Sequence, residues 1–162
     1  VQSGIPLLGI CLGMHLLFEA GTEGVESNDG DFGVRASRGQ NQGDGMGFRE
    51  GLRLLEGVVR PLKEAPVLPH MGWDGVRWIK EAVFGRAHGD LDYFYFAHSY
   101  VPTDMKMEDV LAICSYGTPF AAVVRRGNVL GVQFHPEKSG QRGLWLLASF
   151  IEYCRERQKA TM

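Results

Sequence analysis

The sequence predicts an α/β fold, a β-sheet flanked by helices in one domain over residues 1–162, and three observations predict it. A short apolar run leads through a tight turn into a helical pattern near the start. Short β-rich runs, separated by turn residues, fill most of the second half. An amphipathic helix closes the chain.

The first strand is Pro6-Leu7-Leu8-Gly9-Ile10, apolar, brief and bounded by Gly and Pro, as a buried strand should be. Residues 12–20 continue it as a helix. Residues 21–47 are rich in Gly, Asp, Asn and Ser, with almost no apolar side chains in Asn28-Asp29-Gly30-Asp31 or across 39–45, which reads as an exposed polar loop or insertion. Strand signals follow at 58–59, 67–68, 76–79, 93–101, 110–116, 120–124 and 129–134, with Arg126-Gly127-Asn128 as a turn. In the last segment, 142–157, Leu144, Leu147, Ala148, Ile151 and Cys154 recur at helical spacing, and Ser139 or Gly140 is placed to start the helix. No repeat or interdomain linker interrupts the pattern.

Composition narrows the function classes. The chain has 44% hydrophobic, 10% aromatic and 22% charged residues, the make-up of a globular protein rather than a disordered one. Seventeen basic and nineteen acidic side chains leave a net charge of −2, so no global attraction for nucleic acid or an anionic membrane is expected. No apolar run approaches the roughly 18 to 20 residues that span a bilayer, and the start lacks a signal-peptide pattern, which together predict a cytoplasmic protein. Cys11, Cys114 and Cys154 are odd in number, widely spaced and without CxxC, so neither a disulfide framework nor a zinc site is expected. His88, in Ala87-His88-Gly89-Asp90, reads as a surface turn, and no metal or other cofactor is assigned.

The chemistry concentrates at two places. Gly9-Ile10-Cys11-Leu12-Gly13 sets a cysteine between glycines at a strand-to-helix junction, where a sharp turn exposes the side chain. The helix N-terminus is expected to lower the thiol pKa, and the Leu12 N–H to face a developing oxyanion. A buried structural cysteine fits the same five residues. The second place separates the two readings. The strand at 129–134 delivers His135-Pro136-Glu137 at its end, so His135 can take the thiol proton while Glu137 orients the imidazole. Cys114 and Cys154 have no flanking base and read as small core residues, and His98 as a structural histidine.

Gly9-Ile10-Cys11-Leu12-Gly13 with Gly131-Val132-Gln133-Phe134-His135-Pro136-Glu137 resembles the class I, triad-type glutamine amidotransferases. The resemblance implies a flavodoxin-like sheet, a Cys11–His135–Glu137 triad, and release of ammonia from glutamine through a γ-glutamyl thioester. Pro69-His70-Met71-Gly72-Trp73, Tyr95-Phe96-Ala97-His98-Ser99-Tyr100 and His135-Pro136-Glu137-Lys138-Ser139-Gly140 are similar to one branch, the glutaminase subunit of imidazole glycerol phosphate synthase in histidine biosynthesis. That branch implies a heterodimer with a cyclase subunit, His70, Met71, Gly72, Trp73 and Lys138 at the interface, and Gly13, His15, Glu23, Ser99 and Tyr100 as contacts to glutamine. Trp78 is expected in the core.

Two departures from the family pattern stand out. His15 occupies a position where Gln is usual and helps to hold the substrate, and an imidazole there differs in shape and in its dependence on pH. Family members also begin with strands and a Gly-rich loop that supplies a second oxyanion donor, so the N-terminal strands are expected to be missing and the domain to be part of a longer chain. Another class I amidotransferase subunit, or a non-catalytic docking subunit, are the competing expectations.

Overall fold

A computed structural model describes residues 4–24, 47–80 and 91–160. Most of the expected polar loop, including the arginine-bearing stretch 35–42, and His88 lie outside them.

Strand β1 (Leu7–Ile10) runs into a single helical turn, α1 (Leu12–His15). Two short strands follow, β2 (Ala20–Gly21) and β3 (Arg49–Glu50), then β4 (Val58–Pro61), β5 (His70–Trp78), β6 (Leu91–His98), β7 (Tyr100–Thr103), β8 (Val110–Tyr116), β9 (Thr118–Arg126) and β10 (Val129–Val132). A 3-10 turn at Pro136–Lys138 leads into α2 (Gly140–Lys159).

The larger sheet has the order β1-β10-β9-β8-β5-β6, and a smaller one the order β3-β2-β4-β7. β1 pairs in parallel with β10, Ile10 opposite Val132, whereas β10 with β9, β9 with β8 and β5 with both neighbours are antiparallel. The sheet curls until its two ends meet: the His135 N–H donates to the Tyr95 carbonyl at 2.8 Å, and Phe134 stacks on Phe94 with ring centroids 3.9 Å apart. That closure brings β6, last in the strand order, beside the ends of β1 and β10.

Apolar side chains collect on both faces of this sheet. Val76, Phe94, Phe96, Ala122, Val132 and Phe134 form one core, covered by Leu146 and partly by Trp145 of α2. Met14, Leu17, Phe18, Val59, Val124 and Val129 form the other, between the large sheet, the first turns and β4. β9 feeds both, which is why it reads as a nearly continuous apolar run.

Several expectations change. The helix expected over 12–20 stops after one turn, because the carbonyls of Leu16, Leu17 and Phe18 accept hydrogen bonds from Leu52, Leu54, Leu55 and Arg53 rather than from a continuing helix. Val67 and Leu68 form no strand and are exposed, and a cis peptide joins Leu68 to Pro69. The 93–101 run is two strands, broken at Ser99, whose carbonyl accepts the Leu62 N–H at 2.8 Å. Trp78 is only partly buried, its indole N–H donating to buried Asp92 at 3.0 Å. Cys114 is buried as expected, but Cys154 is half-exposed on α2.

Candidate active site

The turn at Cys11 is sharp. Its φ of 48° and ψ of −108° lie where only a constrained non-glycine residue sits. Gly9 makes that turn possible, since a Cβ there would meet the Gly13 carbonyl oxygen at 2.5 Å and the Met14 nitrogen at 2.8 Å. The Cys11 N–H donates to the Val132 carbonyl at 2.8 Å, which ties the turn to the end of β10. Past Val132, the same strand end delivers Gln133, Phe134 and His135.

His135 Nδ1 and Glu137 Oε1 are 2.7 Å apart, so an Nδ1–H donates to the carboxylate and Nε2 keeps its lone pair. Two backbone links position the ring. Besides the bond from His135 N–H to Tyr95, the Ser139 hydroxyl donates to the His135 carbonyl at 2.6 Å and accepts the Tyr95 N–H at 2.9 Å. Ser139 therefore begins α2 without capping it, because its oxygen is spent on the 3-10 turn and β6.

Half-burial of the sulfur raises the Cys11 thiol pKa above its ordinary value. The Leu12 N–H and the Gln133 amide pull it down, while Glu23 and Glu137 push it up. This reverses the lowering expected from the helix N-terminus: α1 has only four residues, and two carboxylates face the sulfur. A resting thiol needs a base to become a nucleophile.

His15 also departs from expectation. The residue is 7% exposed, and both ring nitrogens are engaged within the protein: Nδ1 lies 2.9 Å from Glu23 Oε2 and Nε2 lies 3.0 Å from Gln133 Oε1. No ring nitrogen is left for a substrate contact. Gln133, fully buried, sets its amide nitrogen 4.0 Å from Cys11 Sγ, at the outer limit of a sulfur hydrogen bond. Sequence reasoning gave Gln133 no role. Its one signal is a long amide at the end of an otherwise apolar strand, where a buried polar group must find partners.

The end of β6 lies alongside, with the Ala97 carbonyl 3.8 Å from Cys11 Sγ. Ser99 and Tyr100 follow directly and are half-buried. His98, between them and Ala97, donates from Nδ1 to the Tyr100 carbonyl at 3.0 Å, and its Nε2 accepts from His70 Nδ1 at 3.1 Å. Burial lowers the His98 pKa to about 4, so it stays neutral beside the site. Glu23 is partly exposed, and the space next to Gly13 is open.

His70 is not part of an exposed docking surface. Residues 70–73 lie on β5, where successive side chains alternate between faces, so His70 is buried, stacked on Phe96 and Tyr116, while Met71 and Trp73 face outward at 63% and 57% exposure. Trp73 meets Tyr95 edge-on, and the Lys138 ammonium lies 5.9 Å from the Tyr95 ring. Gly72, between Met71 and Trp73, is half-buried at a φ of 142°.

A family model described as glutamine amidotransferase class-I matches residues 1–152. The chain belongs to the class I glutamine amidotransferases. It is 41% identical over 155 residues to a Moorella thermoacetica protein named imidazole glycerol phosphate synthase subunit HisH, covering 95% of this chain and 63% of that protein. A Salinibacter ruber protein of the same name is 39% identical over 157 residues, covering 93% and 62%. This amidotransferase chain thus spans less than two thirds of the length of either relative. The crystal structure of a glutamine amidotransferase from Thermotoga maritima superposes with a TM-score of 0.53 at 18% identity, covering 99% of this chain and 51% of that one, which supports the fold. No helix among the described residues is long and apolar enough to cross a membrane.

Proposed function

We propose that the chain carries the glutaminase chemistry of imidazole glycerol phosphate synthase, with Cys11 as nucleophile, His135 as general base and acid, and Glu137 as its orienter. The observation that carries this reading is the 2.7 Å His135–Glu137 contact, delivered by the strand that pairs with the one ending at Cys11. The names of the two relatives support the pathway.

In the reading, His135 Nε2 takes the Cys11 proton as the sulfur attacks the side-chain carbonyl carbon of glutamine. The Leu12 N–H faces the oxyanion, and the space beside Gly13 admits the substrate. Collapse breaks the C–N bond, the nitrogen leaves as ammonia with the proton from His135, and a γ-glutamyl thioester remains. Water then loses a proton to His135 and attacks the thioester, which returns the proton to sulfur and releases glutamate. Glu23, Ser99 and Tyr100 hold the amino-acid end of glutamine. The raised thiol pKa fits this order of events, since the proton leaves only when base and substrate are both in place.

Ammonia passes to a cyclase subunit docked on the face that exposes Met71 and Trp73, flanked by Gly72 and Lys138. Exposed aromatic and Met side chains with a cation nearby have the composition of an interface centre. The cytoplasm is the compartment that goes with such a pathway. The test is ammonia release from glutamine by the full chain, alone and with the cyclase subunit or with an anthranilate- or guanylate-forming synthase. Stimulation by the cyclase alone, abolished in Cys11→Ser, is expected. Full hydrolysis by Cys11→Ser would overturn the nucleophile, and stimulation by another synthase would reassign the pathway.

A further inference from the structure

We propose that His15 is a positioning residue for Cys11, acting through the side-chain amide of Gln133, so that the protonation state of His15 decides which end of that amide the sulfur meets. The proposal rests on the reading of Cys11 as the nucleophile and deepens it.

The argument is one of donors and acceptors. An ionised Glu23 carboxylate only accepts, so His15 Nδ1, 2.9 Å away, must carry hydrogen. Two arrangements then satisfy the rest of the chain. In the first, His15 is an imidazolium, its Nε2–H donates to Gln133 Oε1 at 3.0 Å, and the Gln133 amide nitrogen turns its hydrogens toward Cys11 Sγ at 4.0 Å. In the second, His15 is neutral, Nε2 accepts from the Gln133 amide nitrogen, and the amide is reversed, so that its oxygen faces the sulfur. The first arrangement offers the sulfur a donor and favours thiolate. The second offers an acceptor and favours the thiol. Gln133 is fully buried, so neither end can exchange its partner for water without cost.

The groups around the relay do not substitute for it. Glu23 faces both His15 and Cys11, and Glu137 faces Cys11, where each carboxylate opposes the thiolate. From β6, His98 faces His15 and His135, but burial keeps it neutral down to about pH 4. A proton gained at His15 therefore both adds a positive charge and turns a donor toward the sulfur through Gln133, a route separate from His135, whose ring is tied to Glu137. The two titrations are coupled: a proton on His15 eases loss of the Cys11 proton, and a thiolate at Cys11 holds the proton on His15.

The experiment follows iodoacetamide alkylation of the Cys11 peptide by mass spectrometry across pH in the full chain, for wild type, His15→Gln, Gln133→Met and the double variant. Glutamine at position 15 keeps polar contacts but can never be cationic. At the acid end of the scan, His15→Gln is expected to alkylate about tenfold more slowly than wild type, the size of a hydrogen bond to a charged group, and the gap is expected to close as pH rises. In the Gln133→Met background, His15→Gln should change the rate by less than about twofold. Superimposed wild-type and His15→Gln curves would overturn the proposal, as would an undiminished His15 effect without Gln133. Should Gln133→Met fail to fold, the unaltered protein still decides: the Gln133 side-chain amide resonances must shift with pH at the midpoint of the His15 ring nitrogens, and a pH-invariant amide rejects the relay. Alkylation reads the sulfur whether or not glutamine is hydrolysed, so loss of ammonia release with an intact His15 effect would remove the glutaminase reading alone.

Discussion

Two histidine–carboxylate pairs flank Cys11, His135–Glu137 at 2.7 Å and His15–Glu23 at 2.9 Å, and they differ in what holds the second ring nitrogen. His15 is buried and its Nε2 is taken by Gln133, whereas the His135 side chain is 21% exposed and its Nε2 makes no hydrogen bond among the described residues. The same chemical unit is a candidate base in one place and a buried strut in the other. The wiring of one nitrogen, more than the identity of the residue, separates the two jobs.

The comparison breaks most decisively at His135. We predict that His135→Asn lowers glutamine hydrolysis by about 10⁴-fold, read as ammonia release at saturating glutamine. A loss below tenfold would pass the base role to the other pair.

His98, which faces both histidines, gives the next largest effect. Its folded-state pKa of about 4 lies below the ordinary 6.5, so the unfolded chain binds the extra proton first as pH falls. The stability present above pH 6.5 is lost progressively down to about pH 4, by about 3 kcal/mol. Urea unfolding across that window should show the slope, and His98→Asn should remove most of it. A wild-type slope that persists unchanged in the variant would place its origin elsewhere.

Glu137→Gln should cost about a hundredfold in hydrolysis, because an amide cannot stabilise the imidazolium, while Glu23→Gln should cost about tenfold and act mainly on KM. Equal losses would erase the distinction between the pairs. The smallest expected effect is at the exposed face, where Trp73→Ala should weaken cyclase binding about fivefold in a titration and leave Cys11 alkylation unchanged. A changed alkylation rate would tie that face to the thiol.

What could be read from the chain ahead of its structure follows the range of the interactions involved. The strand before Cys11, the two-residue step from His135 to Glu137, the Arg126-Gly127-Asn128 turn and the closing helix depend on neighbours in sequence, and each emerged close to its expected bounds. The early stop of α1 depends on residues 52–55, some forty positions away, and no local signal marks it. The direction of the thiol shift depends first on burial of the sulfur and then on carboxylates at 23 and 137 meeting beside it, all products of the folded arrangement. The contiguous motif at 70–73 suggests one docking patch, whereas a strand sends alternate side chains to opposite faces and so buries His70 while exposing Met71 and Trp73. Gln133 was hidden because a polar residue at a strand end has no distinctive neighbours until the fold supplies His15 and Cys11.

Ser139 carries a consequence for tolerance to change. One oxygen bolts together three parts that move independently in an unfolded chain: the β6 backbone, the peptide of the candidate base and the root of the long helix. Backbone bonds from His135 to Tyr95 and from Ser139 to Pro136 share the load at this joint. Alanine would fill nearly the same space, yet it would leave the Tyr95 amide without its acceptor and the His135 carbonyl with the Lys138 N–H as its remaining donor, so one atom lost from a residue that does no chemistry loosens two contacts beside the site at once.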